Sequence, residues 1–179
     1  MTGTPKRGGY LGRGVVTGLV AGAVGTAALD GLRYRRGGGT QAPLEWEFSA
    51  ETNSWGEVSA PGQVGHLVLR RLVGPDVPDR WARTTQNVVH WVTGTGWGAP
   101  LGLVAAATTQ IRWVWGLGLG VAVWATSYVT LPRAGIYKPI WQYDAATLAR
   151  DLTAHLVYGA ATGAALAALL PHSRREKRP

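Results

Sequence analysis

Four ionisable side chains lie near the ends of apolar stretches in this sequence. They are Asp30, His90, Tyr128 and His155. A carboxylate beside an imidazole can exchange a proton near neutral pH, because an unperturbed histidine titrates at about 6.5. Ionisable groups inside membrane segments are costly and are therefore candidates for function. We treat these four residues as a candidate polar cluster for ion or proton handling.

Other interpretations of the same histidines remain open. Each could have a structural role and form a hydrogen bond to a backbone carbonyl or a tyrosine across a close-packed helix pair. Two histidines on symmetric helices are also the minimum axial pair for haem, but the neighbouring glycines favour close helix contact over the room that haem needs. Zinc usually has three protein ligands, and His66 and His172 lie in other contexts. We therefore predict no metal and no cofactor.

The stretches that would position these residues are long enough to cross a membrane. From Leu152 to Leu170 the one strongly polar residue is His155, and about 20 apolar residues in a helix span a bilayer core. The predicted spans are residues 14–32, 87–107, 113–131 and 152–170. The fold prediction is all-α, a four-helix transmembrane bundle forming one integral-membrane domain over residues 1–179.

Composition agrees with a membrane protein. Charged residues make up 16% of the chain, against about 25% in soluble domains. The net charge of +8 lies mostly beside apolar runs, which suits a bilayer with anionic lipid headgroups better than nucleic acid. Nine tryptophans accompany a single phenylalanine, and several stand at span ends, as in an aromatic belt. The absence of cysteine excludes disulfides and thiolate metal sites.

One segment of the chain occurs twice with a constant offset of 65 residues. The matched residues are Asp79, His90, Gly94, Gly98, Ala99 and Leu101 with Asp144, His155, Gly159, Gly163, Ala164 and Leu166. Two spans per copy predict two parallel helical-hairpin repeats, related by an axis along the membrane normal. The two histidines should then lie at the same depth and point into the bundle. Each copy opens with an aspartate that we expect to cap its helix.

Small residues recur four apart within the spans and predict close helix packing. The predicted packing positions are Gly14, Gly18, Gly22, Gly94, Gly98, Gly116, Gly120, Gly159 and Gly163. A secretory signal peptide is the rival interpretation of the first span. However, its glycine stripe ends in Asp30, and more spans follow.

A long polar connection between the first two spans contains one amphipathic segment, residues 60–73. It begins at Ser59-Ala-Pro61 and stops at Gly74-Pro75. A short helix in the membrane interface is one interpretation. The other is a helix packed on the core of the loop itself.

The residues also resemble those of YagU-type inner-membrane proteins, a poorly characterised family. The resemblance rests on Gly18-Leu-Val-Ala-Gly22, on Leu67-Val-Leu-Arg-Arg-Leu-Val-Gly74, on Leu131-Pro132, and on the two histidines that open spans. It departs after the first span, where family members have Pro-Pro-Arg and this chain has Arg35-Arg36-Gly37-Gly38-Gly39. The resemblance implies a helical, multi-pass protein of the bacterial inner membrane and brings no activity or catalytic residues.

Two functions from different classes follow. The first is a structural or accessory membrane protein that acts through helix packing and through loop or lipid contacts. The second is a small transporter or channel that uses the Asp/His cluster, and which should be a homo-oligomer because four helices rarely enclose a path alone. The sequence contains no Ser–His–Asp order, phosphate loop or dinucleotide fingerprint, so an enzyme activity is unsupported. A polar cavity would favour transport, and a dry bundle would favour the accessory role.

Overall fold

A computed structural model describes residues 7–39, 52–108 and 112–170, and these ranges are helical without any strand. The five α-helices are α1 (Arg7–Arg36), α2 (Ala60–Val73), α3 (Ala82–Ala107), α4 (Arg112–Thr130) and α5 (Ala145–Leu169). Short 3₁₀ turns at Asp79–Trp81, Pro132–Ala134 and Ile140–Gln142 lie in the connections. The all-α prediction is confirmed. His172 and most of the turn predicted between α3 and α4 lie outside the described residues.

Three of the described helices are long and apolar enough to cross a membrane. They cover Leu11–Arg36, Trp113–Ala134 and Ala145–Leu169. The remaining long helix, α3, has 26 residues but a lower hydropathy, because threonines, glycines and tryptophans alternate with its apolar residues. A span by α3 therefore remains a prediction.

Helix α1 lies at the centre of the packing. It packs against α3 and α5, while α4 packs against α5 and α2 packs against α3. Helices α1 and α3 run antiparallel, since Gly14 meets Gly102 and the later Gly18 meets the earlier Gly98. Helices α3 and α4 are consecutive in the chain but have few contacts with each other.

Glycines bring the backbones of α1 and α3 into direct contact. A Cβ atom on Gly98 would press against the Gly18 carbonyl oxygen and would lie 2.8 Å from the Gly22 nitrogen. The corresponding atom on Gly22 would lie 3.0 Å from the Gly94 carbonyl oxygen. Any side chain at these positions would push the two helices apart.

The same kind of contact joins α4 to α5. A Cβ atom on Gly159 would press against the Gly116 carbonyl oxygen and would lie 2.8 Å from the Gly120 nitrogen. A Cβ atom on Gly116 would lie 2.8 Å from the Gly163 Cα atom. The predicted packing glycines thus lie at two separate helix–helix interfaces, one in each hairpin.

The two aspartates that precede α3 and α5 differ in what they bind. Asp144 caps α5, because Oδ1 accepts a hydrogen bond from the Thr147 amide at 2.8 Å and Oδ2 accepts one from the Thr147 hydroxyl at 2.7 Å. Asp79 instead begins a 3₁₀ turn and accepts a hydrogen bond from the Trp55 amide at 3.2 Å. The prediction that Asp79 caps the helix is wrong, since α3 starts at Ala82 without a side-chain cap.

Helix α2 has the predicted bounds and packs on α3. It also contacts the loop that precedes it, since the Trp55 ring stacks on His66 at a centroid distance of 4.1 Å. A Cβ atom on Gly65 would press against the Thr85 side chain and would lie 3.0 Å from Val89 Cγ2. Over the last two turns of α2, apolar side chains are exposed, with Leu72 at 75% and Val68 at 51%.

Candidate functional site

Asp30 of α1 and His90 of α3 form an ion pair between helices. His90 Nε2 lies 2.9 Å from both Asp30 carboxylate oxygens and donates to them. The Asp30 side chain is 11% exposed and the His90 side chain is 18% exposed. The helix contacts fix this register: a Cβ atom on Gly94 would press against Thr26, so one turn further along α1 and one turn back along α3 bring Asp30 close to His90. A carboxylate that accepts one imidazole N–H fixes the tautomer and leaves the other ring nitrogen as a hydrogen-bond acceptor.

A second aspartate–histidine pair lies within α5. His155 Nδ1 donates to the Asp151 carbonyl at 2.9 Å and lies 3.6 Å from Asp151 Oδ1. Asp151 was not among the residues predicted for the site, because it precedes the apolar stretch by one position. The available signal was its spacing, since residues four apart share a helix face.

Both histidines line one cavity of about 480 Å³. Ligand sites commonly have volumes of about 300–1,000 Å³. The lining is mostly apolar, with hydroxyl groups of threonine, serine and tyrosine among it. Its ionisable basic groups are Arg33, His90 and His155. Neither Asp30 nor Asp151 belongs to the lining, so both carboxylates lie outside the cavity.

The cavity lies between α3 and α4, which make few contacts with each other. The two helices are joined at one end by the short connection around residues 108–112. Val89, Thr93 and Trp97 line the cavity from α3, and Val123 and Ser127 line it from α4. The start of α2 and the loop after α4 contribute the lining residues Ser59, Ala60, Pro61, Ala134 and Tyr137.

The two histidines lie at similar depth, although the two hairpins differ in register. Two adjacent residues of α1 mark the depth in the other helices. A Cβ atom on Gly94 of α3 would contact Thr26, and a Cβ atom on Gly25 would contact Tyr158 of α5. His90 precedes Gly94 by four residues and His155 precedes Tyr158 by three. The repeat pairs Gly98 with Gly163. In the helix contacts, however, the residue that packs as Gly98 does is Gly159, one turn before Gly163. The internal repeat therefore remains a prediction.

Tyr128 does not join Asp30 and His90. Its ring packs with Trp124, Tyr137 and Tyr143, at centroid distances of 5.2, 5.3 and 5.4 Å. This aromatic group lies near Asp151: burial raises the pKa of Tyr137, and the Asp151 carboxylate raises it further. Tyr128 is thus on the Asp151 side of the site.

Tyr158 contributes a polar contact between α5 and α3. Its hydroxyl donates to the Gly94 carbonyl at 2.6 Å, one turn after His90. The residue is 3% exposed and also lines the cavity. This hydrogen bond ties the two histidine-bearing helices together at the inner end of the site.

The described ranges hold no group of three or more acidic, histidine or cysteine side chains that could bind a metal ion. Comparison with protein-family models, with curated proteins and with solved structures finds no match for this chain. The resemblance to YagU-type proteins remains a prediction.

Proposed function

We propose that the chain is a multi-pass protein of the bacterial inner membrane in which α1, α3, α4 and α5 all cross the bilayer. A helix of the length of α3 extends about 39 Å, which exceeds the roughly 30 Å of a hydrocarbon core. Val88 and Val92 of α3 are 53% and 66% exposed, as expected of side chains that meet lipid. The antiparallel contact with α1 supports the span, because α1 itself is long and apolar enough to cross.

Helix α2 is proposed to lie in the membrane interface. Leu67, Val68, Leu72 and Val73 are exposed apolar residues, and Arg70 and Arg71 lie in the same last turns. An apolar surface bordered by arginines suits the boundary between acyl chains and anionic headgroups. In that position α2 would hold the start of α3 at the membrane surface.

The function that the geometry supports best is binding of a small solute, coupled to a proton and serving transport. The observation that carries this proposal is the shared cavity, which both imidazoles line while the Asp30 carboxylate binds His90 and the Asp151 backbone carbonyl binds His155. Among the described residues, His90 Nδ1 and His155 Nε2 have no hydrogen-bond partner. Each of these nitrogens can therefore form a hydrogen bond to a bound solute.

The glycine contacts favour a carrier over an open channel. Beyond the cavity, the backbones of α1 and α3 touch at Gly18 and Gly98, and those of α4 and α5 touch at Gly116 and Gly159. Such contacts leave no room for a continuous path between the paired helices. Transport would therefore require the hairpins to move, and we expect a homo-oligomer to support that movement.

An accessory role is the second candidate, and one observation favours it. The half of the bundle that contains the glycine contacts is tightly packed, with Ala21 and Leu166 both 0% exposed. A bundle that was equally closed at its other end would suit a structural protein with α2 on the lipid surface. Water access to the cavity distinguishes the two functions.

The absence of cysteine in the native sequence makes this access measurable without background. Ser127→Cys places one thiol in the cavity lining, and Ala21→Cys places one in the closed half, where the native side chain is 0% exposed. A membrane-impermeant thiol reagent applied to oriented vesicles should label Ser127→Cys from one side and leave Ala21→Cys unlabelled. Equal protection of both thiols would contradict the transport proposal and favour the accessory role.

A further inference from the structure

The cavity also indicates the chemistry of its ligand. We propose that it binds a single-chain amphiphile with one acidic head group, a carboxylate or a phosphate, and an apolar tail. This inference rests on the proposed function, since it requires an accessible cavity. It is carried by the charge of the lining, by the distribution of polar and apolar residues along its depth, and by its volume.

Basic groups line the cavity while the acids lie outside it. Arg33, His90 and His155 belong to the lining, and Asp30 and Asp151 do not. Within the part of the chain that the structure describes, Arg33 has no carboxylate partner. An anionic head group can therefore pair with Arg33 and accept hydrogen bonds from the imidazoles, whereas a cationic ligand would meet three basic side chains.

The helix directions place the head and the tail. Helix α1 ends at Arg36, so Arg33 lies nearer to that helix end than Asp30 does, while the antiparallel α3 runs from His90 towards the closed glycine contacts at Trp97. Val123 of α4 lies opposite on the inner part, together with the closed glycine contacts. An acidic head at Arg33 thus sits at the membrane surface, and an apolar tail extends towards Trp97.

The volume limits the size of the tail. A cavity of about 480 Å³ holds about sixteen water-sized groups at roughly 30 Å³ each. That number matches a single-chain acid of about twelve carbons, and it is too small for a two-chain phospholipid. The weak contact between α3 and α4 gives such a molecule a lateral entry from the lipid.

Tail binding can be measured with 12-bromododecanoic acid, because bromine quenches nearby tryptophan fluorescence. The full-length protein in nanodiscs of zwitterionic lipid should show saturable quenching. Trp97→Phe should remove most of this quenching, since Trp97 lines the cavity. Trp141→Phe is the matched control, because Trp141 is 80% exposed and lies outside the lining, and the saturable quenching should persist there.

Head-group recognition can be measured with variants of two arginines on the same helix end. Arg33→Gln should weaken binding of the acid by roughly ten- to hundredfold, as expected for loss of a charge-assisted hydrogen bond. Arg35→Gln removes the same charge from a residue outside the lining and should change the affinity less than twofold. The methyl ester of the acid should bind the native protein as weakly as the acid binds Arg33→Gln.

The possible ligands give different results in the same assay. A dodecyl phosphate that competes with the bromo acid would extend the site to phosphate heads, and a brominated anionic phospholipid should not quench saturably. Equal binding of acid and ester, or full affinity in Arg33→Gln, would overturn the proposed ligand. Labelled Ser127→Cys without any saturable quenching would overturn the ligand alone, whereas a protected Ser127→Cys would overturn the transport function as well.

Discussion

Replacing Gly98 by alanine should destabilise the bundle, because the added methyl group has no room. Its Cβ atom would press on the Gly18 carbonyl oxygen and lie 2.8 and 2.9 Å from the Gly22 nitrogen and Cα atoms. These are backbone atoms that cannot turn aside, so helices α1 and α3 must separate. Overpacking of this kind typically costs about 1–3 kcal/mol.

Gly96 is the matched control, since it lies on the same helix and a Cβ atom there would meet nothing within 4 Å. Alanine in place of a helical glycine gains about 0.5–1 kcal/mol, and this gain applies to Gly96→Ala and Gly98→Ala alike. The difference between the two variants therefore isolates the overpacking cost of about 1–3 kcal/mol.

Thermal unfolding in one detergent, followed by circular dichroism, measures this difference. At about 2–4 °C per kcal/mol for a chain of this size, Gly98→Ala should melt roughly 2–12 °C below Gly96→Ala. Gly159→Ala and Gly118→Ala repeat the comparison in the second hairpin, where a Cβ atom at Gly118 would also meet nothing within 4 Å. Equal melting temperatures within each pair would refute the argument from backbone contact.

Three further predictions concern polar contacts. Tyr158→Phe loses the hydrogen bond to the α3 backbone and should lower the free energy of unfolding by about 0.5–1.5 kcal/mol; an unchanged value would assign that hydrogen bond no net contribution. In a double-mutant cycle, Asp30→Asn and His90→Gln should show a coupling of about 1.5–3 kcal/mol, and additive effects would rule out the ion pair. Hydrogen bonds from the first turn of α5 lower the pKa of Asp144 below its ordinary value of 3.8. The Asp144 cap therefore stabilises the folded protein fully above pH 3.8, and this stabilisation is lost as the pH falls through the lower pKa of the folded state. The melting difference between the native protein and Asp144→Ala should therefore shrink below about pH 4, and a constant difference would exclude the cap as its cause.

Local signals in the sequence account for much of the fold. The bounds of α2 follow from Pro61 at its start and Gly74-Pro75 after its end. The cap at Asp144 follows from the preference of aspartate for that position. Asp79 has the same local pattern, but its carboxylate binds the Trp55 amide, a contact between residues far apart in the chain that no local rule anticipates.

The site was predictable where helix periodicity determines contacts. The four-residue glycine spacing on α1 and α3 sets the register that brings Asp30 to His90. The placement of Tyr128 was not predictable, because it depends on how the loop after α4 folds its own tyrosines back onto that ring. The cavity also lies beyond sequence reasoning, since it depends on the weak contact between α3 and α4 and not on any residue pattern.

The central claim is that His90 and His155 face one water-accessible cavity at a single end of the bundle. Water-edited solid-state NMR of the protein labelled with ¹⁵N-histidine and ¹³C-threonine in lipid bilayers measures this directly, with Thr162, which is 0% exposed, as the dry reference. We expect magnetisation from water to reach both imidazoles within short mixing times and to reach the Thr162 methyl group much later. Imidazole signals that build up as slowly as the Thr162 signal would contradict the account.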